Sequence, residues 1–319
     1  MRRLFAMGGA VLLAATAGMV HGQEKYPVKP IRMIVGYAPG GGSDIMGRLI
    51  APQIAEALGQ QVIVENRAGQ AQNIAAEFIV RQPADGYTLF LSSAALGVNA
   101  TLYPKLNYDP VRDFIPVAVF ASSANLLLTH PSVPAKSVRE FIAVVKKNPG
   151  KMNYSSSGSG STQHLSGEML KLFIKGDFTH IPYKGTGPSL TALASGEVEF
   201  SFSNIPAAQP LINRFRVLGI TSEKRSSLMP EVPTLIEGGL PGFVTQTWYG
   251  VLVTRNTPQP IVETLNRVIV NAVKREDFRN RILQMGSDPI AESPEYFRRM
   301  LAEEIERWGK VVRASGIKP

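Results

Sequence analysis

Two runs of small residues carry the chemistry that this chain could do. Gly40-Gly41-Gly42 separates the apolar run Ile31 to Val35 from a helix-like stretch opening at Ser43-Asp44. Ser155 to Thr162, all serine, glycine and threonine, separates a β-like run at Met152-Asn153-Tyr154 from a second helical stretch with Leu165, Met169 and Leu172 on its apolar face. Both read as strand, bare loop, helix start. A loop without Cβ atoms lets a ligand approach the backbone, and the first-turn amides of a helix lack internal partners and so favour an anion. Hydroxyls in the second run add further donors. The glycines could equally serve a tight strand-to-helix turn. The first run also approaches a nucleotide-binding loop, with Gly36, Gly41 and Ser43 on three positions of G-x-x-x-x-G-K-[ST]. Gly42 stands where the phosphate-binding lysine must be, which argues against ATP or GTP.

Other chemistries find less support. The chain has no cysteine, which excludes disulfides, thiolate metal sites and cysteine nucleophiles. A secreted hydrolase is the leading enzyme alternative, but no G-x-S-x-G elbow is present, and His130, His164 and His180 sit in no triad context. No H-E-x-x-H or aspartate cluster suggests a metal. His164 reads as a surface or loop-packing residue before a general base, and Asp44 as a helix-capping group before a ligand contact. No catalytic residue, cofactor or metal is expected. The formal charge of +9 is scattered rather than gathered into a stripe, which argues against nucleic-acid binding while leaving a mild positive field to draw acidic small molecules.

The elements that must position these loops follow from 319 residues, enough for roughly two domains. Arg2-Arg3, the apolar run Leu4 to Val20 and the small residues ending at Gly22 have the order of a secretory signal peptide, so residues 1–22 are expected to be removed and the mature chain to start near Gln23, in the periplasm of a bacterium. Ser43 to Leu58 reads as an amphipathic helix stopped by Gly59, with a kink or break near Pro52. A run at Gln61 to Val64, a helix to Arg81 and a strand at Thr88 to Ser93 complete a βαβαβ unit, whose ligands bind beyond the strands' carboxyl ends, where Gly40 to Asp44 and Ser92-Ser93 both lie. Phe114 to Thr129 reads as two strands joined by a hinge at Ala121 to Ala124. Further α/β alternation follows, Ser137 to Glu140 opening one helix with a capping box, then a return strand at Trp248 to Val253 and helices begun by Thr257-Pro258 and Ser293-Pro294.

In order along the chain, Tyr37-Ala38-Pro39-Gly40-Gly41-Gly42-Ser43-Asp44, Val64-Glu65-Asn66-Arg67-Ala68-Gly69, Pro83 to Leu89, Tyr108-Asp109-Pro110, Pro182-Tyr183-Lys184-Gly185, Arg225 to Thr234 and Trp248-Tyr249-Gly250 resemble the motifs of the substrate-binding receptors of tripartite tricarboxylate transporters, the Bug family. The resemblance covers essentially the whole mature chain. It implies an α/β protein of the periplasmic-binding-protein type II kind: two α/β lobes, residues 23–122 with 246–319 and residues 123–245, joined by a two-strand hinge with the ligand cleft between them. It further implies a monomer that closes on a small carboxylated metabolite and delivers it to the membrane permease subunits. Carried over position by position, the ligand wall would be Tyr37, Pro39, Gly40, Gly41, Gly42, Ser43, Asp44, Ser92 and Ser93 from one lobe. Ser157, Gly158, Ser159, Gly160, Ser161, Thr162, His164, Tyr183, Lys184, Gly185 and Asn204 would come from the other. Two departures bear on specificity: Gln70-Ala71-Gln72-Asn73 replaces a glycine-rich turn and would add amide bulk if it faced the cleft, and Ser203 stands where an aspartate commonly precedes Asn204. A sensor that docks on a signalling receptor instead of a permease would need the same closure.

Overall fold

The computed structural model describes residues 26–319, so the expected signal peptide and the Gln23 start lie outside the described residues. The first lobe opens with β1 (Ile31–Val35), α1 (Gly42–Leu58), β2 (Val62–Asn66), α2 (Asn73–Ile79), β3 (Thr88–Ser93) and α3 (Ala95–Leu102). β1 pairs in parallel with β2 and β3, the βαβαβ unit read from the sequence. Helix α1 runs unbroken through Pro52, whose ring removes one backbone bond without ending the helix, and Gly59 closes it at φ 67°. The short helix α3 was not anticipated, because its residues are apolar almost all round and show no amphipathic stripe.

The largest departure from the sequence reading is β4 (Phe114–Thr129), a single 16-residue strand rather than two strands with a hinge between them. Register shifts at Pro116/Ala118 and Val119/Ala121 bend it as bulges do, so it leaves one sheet and joins the next without a turn. Its first part, to Ala124, pairs with β9 (Gln246–Thr254), and its last part, Asn125 to Thr129, pairs with β7 (Phe200–Asn204) and β8 (Arg216–Ile220).

Between these strands the second lobe contributes α4 (Val138–Lys147), β5 (Asn153–Ser156), α5 (Thr162–Ile174), β6 (Thr179–Pro182), α6 (Thr186–Ser195) and the one-turn α7 (Ile205–Ala208). The strand order is β2-β1-β3-β9-β4-β7-β5-β6, so β4 and β9 stand at the junction of two sheets. After β9 the chain returns to the first lobe as α8 (Gln259–Lys274), α9 (Glu276–Gln284), β10 (Asp288–Pro289) and α10 (Pro294–Ser315). Ser293 caps α10 by accepting from Tyr296 N, whereas Thr257 does not cap α8 because its hydroxyl donates back to Thr254 O. Separate apolar cores lie in the two lobes, one around Ile31, Leu89, Val251 and Leu265, the other around Leu127, Phe141, Tyr154 and Phe200. The first core fixes the carboxyl ends of β1 and β3, the second those of β5 and β7.

Candidate functional site

Three helices aim their first turns at one small cavity between the lobes. Helix α1 supplies Gly41, Gly42 and Ser43, α5 supplies Thr162 and Gln163, and α6 supplies Thr186. Their amides have no intrahelical partner and their dipoles favour negative charge at this end. Tyr37, Ser93, Ser157, Asn204, Thr247 and Tyr249 complete the wall, so no lining residue is charged. The cavity measures about 20 Å³, room for about one water-sized group.

Each wall is held from behind. The Asp44 carboxylate accepts from Gly40 N at 3.0 Å, Arg48 Nε at 3.0 Å and Asn66 Nδ2 at 2.9 Å, which shapes the β1–α1 loop without pointing into the cavity. Burial alone would raise its pKa; the Arg48, Gly40 and Asn66 bonds outweigh this and hold it below the usual carboxylate value. In the second lobe, Ser157 Oγ donates to Gln163 Oε1 at 2.9 Å and Gln163 Nε2 reaches Thr186 Oγ1 at 3.5 Å, leaving the Thr186 hydroxyl hydrogen free to donate. Asn204 caps α7, its Oδ1 accepting from Ala207 N at 3.2 Å, so its amide hydrogens remain available. Tyr249 Oη is buried with no partner. Burial, then the neighbouring Tyr37, pushes that hydroxyl well above its usual pKa, so it stays a neutral donor. Donors therefore outnumber acceptors around the cavity, the arrangement that an acceptor-only carboxylate satisfies.

The lobes touch. Ala38 N donates to Lys184 O at 3.2 Å, and Tyr103 Oη donates to Ser159 O at 3.1 Å. At Gly42 an added Cβ would fall 2.5 Å from Tyr249 Oη and closer still to Asn204 Oδ1, so only glycine leaves this space open.

Of the residues carried over from the sequence, Tyr37, Gly41, Gly42, Ser43, Ser93, Ser157, Thr162 and Asn204 line the cavity. Ser92 lies fully buried behind it, its hydroxyl donating to Gln72 Oε1. Pro39, Gly40 and Tyr183 line instead an open groove of about 780 Å³ at the cleft mouth, with Gly187 and Leu211. Lys184 is exposed, and Gly185 precedes the first turn of α6. Gly158 and Gly160 adopt positive φ in the α5 loop, Ser159 offers its carbonyl to Tyr103, and Ser161 caps α5 by accepting from His164 N at 3.2 Å. The His164 ring is buried behind that loop.

The Gln70 to Asn73 turn does not add bulk to the cavity wall. Gln72 and Asn73 are buried: Gln72 Oε1 accepts from Ser93 N and Ser92 Oγ, both at 3.2 Å, and Asn73 Oδ1 accepts from Asn99 Nδ2 at 2.8 Å and from Tyr108 Oη. The amides thus brace the β3 end. Sequence reasoning missed Gln163, Thr186, Thr247 and Tyr249. Gln163 had a usable signal, since it occupies the first turn of a helix that follows a small-residue loop, and Thr186 a weaker one, since it opens a helix directly after Gly185. Thr247 and Tyr249 alternate with Trp248, which packs on Phe297 on the opposite face of β9.

The family described as "Tripartite tricarboxylate transporter family receptor" matches residues 46–317. Protein BugT of Bordetella pertussis is 36% identical over 322 residues, covering 100% of this chain and 99% of that protein. Among solved structures, an R. palustris protein with adipate superposes with a TM-score of 0.90 at 36% identity, over 92% of this chain and 99% of that one. MatC from Rhodopseudomonas palustris with bound malate gives a TM-score of 0.86 at 34% identity, over 90% of this chain and 100% of that one.

Proposed function

This chain belongs to the tripartite tricarboxylate transporter receptor family, and from that premise we propose that it captures a small carboxylated metabolite in the periplasm by closing its two lobes and hands it to the membrane permease. Its family is one of substrate-binding receptors, so the protein binds rather than converts its ligand. The observation that carries the reading is the uncharged cavity on which three helix N-termini and the unpartnered Tyr249 hydroxyl converge. A carboxylate there takes hydrogen bonds from amides and hydroxyls already held in place, and water is excluded, so each bond is stronger than at a surface. The bound acids of the two solved relatives, adipate and malate, support an aliphatic or hydroxylated acid. Either acid is larger than the cavity, so loading requires the lobes to part slightly.

The lobes divide, in this proposal, at residues 122/123 and 245/246, close to where β4 leaves one sheet for the other after Ala124 and where the chain enters β9. The test is the mass of the small molecule that co-purifies with the exported protein, followed by calorimetry with that acid, adipate and malate beside their amides. Binding should require the free carboxylate, because an amide nitrogen would present hydrogens to donors that need an acceptor. Equal affinity for acid and amide would overturn the reading.

A further inference from the structure

The loop Ser157 to Ser161 joins cavity-lining Ser157 to cavity-lining Thr162 and Gln163, and its middle meets the opposite lobe. An added Cβ at Gly160 would lie 2.5 Å from Asn99 Oδ1 and 3.0 Å from Leu102 Cδ2 of α3. Behind this loop, away from the cavity, two imidazoles stack: His164 of α5 and His180 of β6, with centroids 3.9 Å apart and planes at 14°. His164 Nδ1 accepts from Gly160 N at 3.1 Å. His180 Nε2 lies 2.6 Å from Ser156 Oγ, which accepts in turn from Gly158 N at 3.1 Å. Each ring therefore props one of the two loop glycines through a hydrogen bond or a relay. Because a backbone N–H can only donate, His164 Nδ1 must keep its lone pair, and the neutral ring carries its proton on Nε2.

We propose that His164 is a positioning residue for ligand capture: its neutral ring holds the Gly160 amide, and with it the shape of the anion-facing loop, while a proton added to Nδ1 releases that loop. The added proton would set an N–H against the Gly160 N–H, exchanging a hydrogen bond for a repulsion. The contact of Gly160 with Asn99 and Leu102 loosens with it, so the cavity wall and the closing contact fail together. The titratable groups around the pair are Glu168 and Lys171 on α5, Tyr154 on β5 and Tyr103 beyond α3. Tyr154 Oη bonds Glu168 Oε1 at 2.9 Å and His164 O at 3.1 Å; Lys171 Nζ sits 3.4 Å from the same Glu168 oxygen. Tyr154 also lays its ring 4.8 Å from His180. Burial, then Lys171, lowers the His164 pKa to about 4, so the ring is neutral at pH 7 and the prop is engaged there.

Calorimetry with adipate and malate as probes, from pH 7 to pH 3, on wild type, His164→Asn and His164→Leu tests this. The asparagine oxygen keeps an acceptor near Nδ1 but does not titrate. His164→Asn should bind within about threefold of wild type at pH 7, and at pH 3, about one unit below the His164 value, wild type should have lost about tenfold more affinity than the variant, tenfold being the ratio of protonated to neutral ring there. Titration of the acid itself is common to both proteins and cancels. His164→Leu should bind weakly at every pH. An asparagine variant that follows the wild-type profile, or a leucine variant that binds normally, overturns the proposal. The binding arm rests on the cleft being a carboxylate site. A second arm does not: the amide-exchange protection factor of Gly160 in the ligand-free protein should fall on acidification in wild type and stay constant in His164→Asn, and a constant value in both overturns the proposal independently.

Discussion

A Cβ added at Gly42 would meet Tyr249 and Asn204, whereas one added at Gly41 would meet Ala38 O and Thr186 N at 3.5 and 3.6 Å, ordinary contact distances. Adjacent glycines in one loop thus have different tolerances. Gly42→Ala is expected to weaken ligand binding by about 1–3 kcal/mol, the usual cost of forcing a methyl group into a packed site, while Gly41→Ala should stay within about threefold of wild type. Calorimetry on the pair checks this, and equal losses would show that the loop as a whole, not the Gly42 contact, controls the cleft. Tyr249→Phe separates binding from stability. Its hydroxyl has no partner in the folded protein, so deleting it should leave the melting temperature unchanged or slightly raised. The same deletion should cost binding about 1.5–3 kcal/mol, the range for a hydrogen bond to a charged group. Lys184 offers the opposite test: it is exposed and outside the cavity, so Lys184→Ala should cost about 1 kcal/mol or less.

At the scale of elements, the β1–α1 loop depends on Asp44 for its shape, since the carboxylate ties Gly40 N, Arg48 and Asn66 together. Asp44→Ala should lower stability by roughly 1–3 kcal/mol and weaken binding through loss of loop order. The folded carboxyl titrates below its ordinary value of 3.8, so its stabilisation is present above that pH and is lost as pH falls through the lower, folded pKa. Urea denaturation at pH 7 and pH 3 should show the difference between wild type and variant shrinking at the lower pH. Elements of this kind were legible in the sequence because their signals are local: glycines before a helix, Ser137 and Ser293 as caps, the β-like run of β9. The continuity of β4 was not legible, since Ser122, Ser123 and Asn125 read as a break in the apolar run, whereas their backbones pair on through β9 and β7. Nor was Gln72, which is fully buried at a φ of 71° and serves the end of β3 through its side-chain amide. Its role exists only once β1, α2 and β3 are assembled. Tyr249 shows the same limit, because alternation divides β9 into two faces but cannot say which one meets the cleft.

For the whole molecule, β4 runs through both sheets while β9 pairs within the first, and every cavity wall except the β9 residues belongs to a loop, strand end or helix start of one lobe or the other. Motion that parts the lobes therefore separates Gly41, Gly42 and Ser43 from Thr162, Thr186 and Asn204 while leaving each half-site intact. On the proposed reading, closure assembles the donors, and a ligand stabilises the closed form only by its greater affinity for the assembled site. The chain has no cysteine, so paired substitutions can be labelled without background. Glu56 on α1 and Lys147 on α4 are exposed on opposite lobes and far from the cavity lining, which suits Glu56→Cys with Lys147→Cys for spin-label distance measurements. Without ligand the distance distribution should be broad or double; saturating acid should collect it into a single closed population. Adding Gly42→Ala to the labelled pair should leave the open population in place at the same acid concentration, because the methyl group blocks the approach of Asn204 from the second lobe. If that triple variant closes as fully as the labelled pair, the lobes meet without using the Gly42 contact, and the donor cavity described here is not what closure completes.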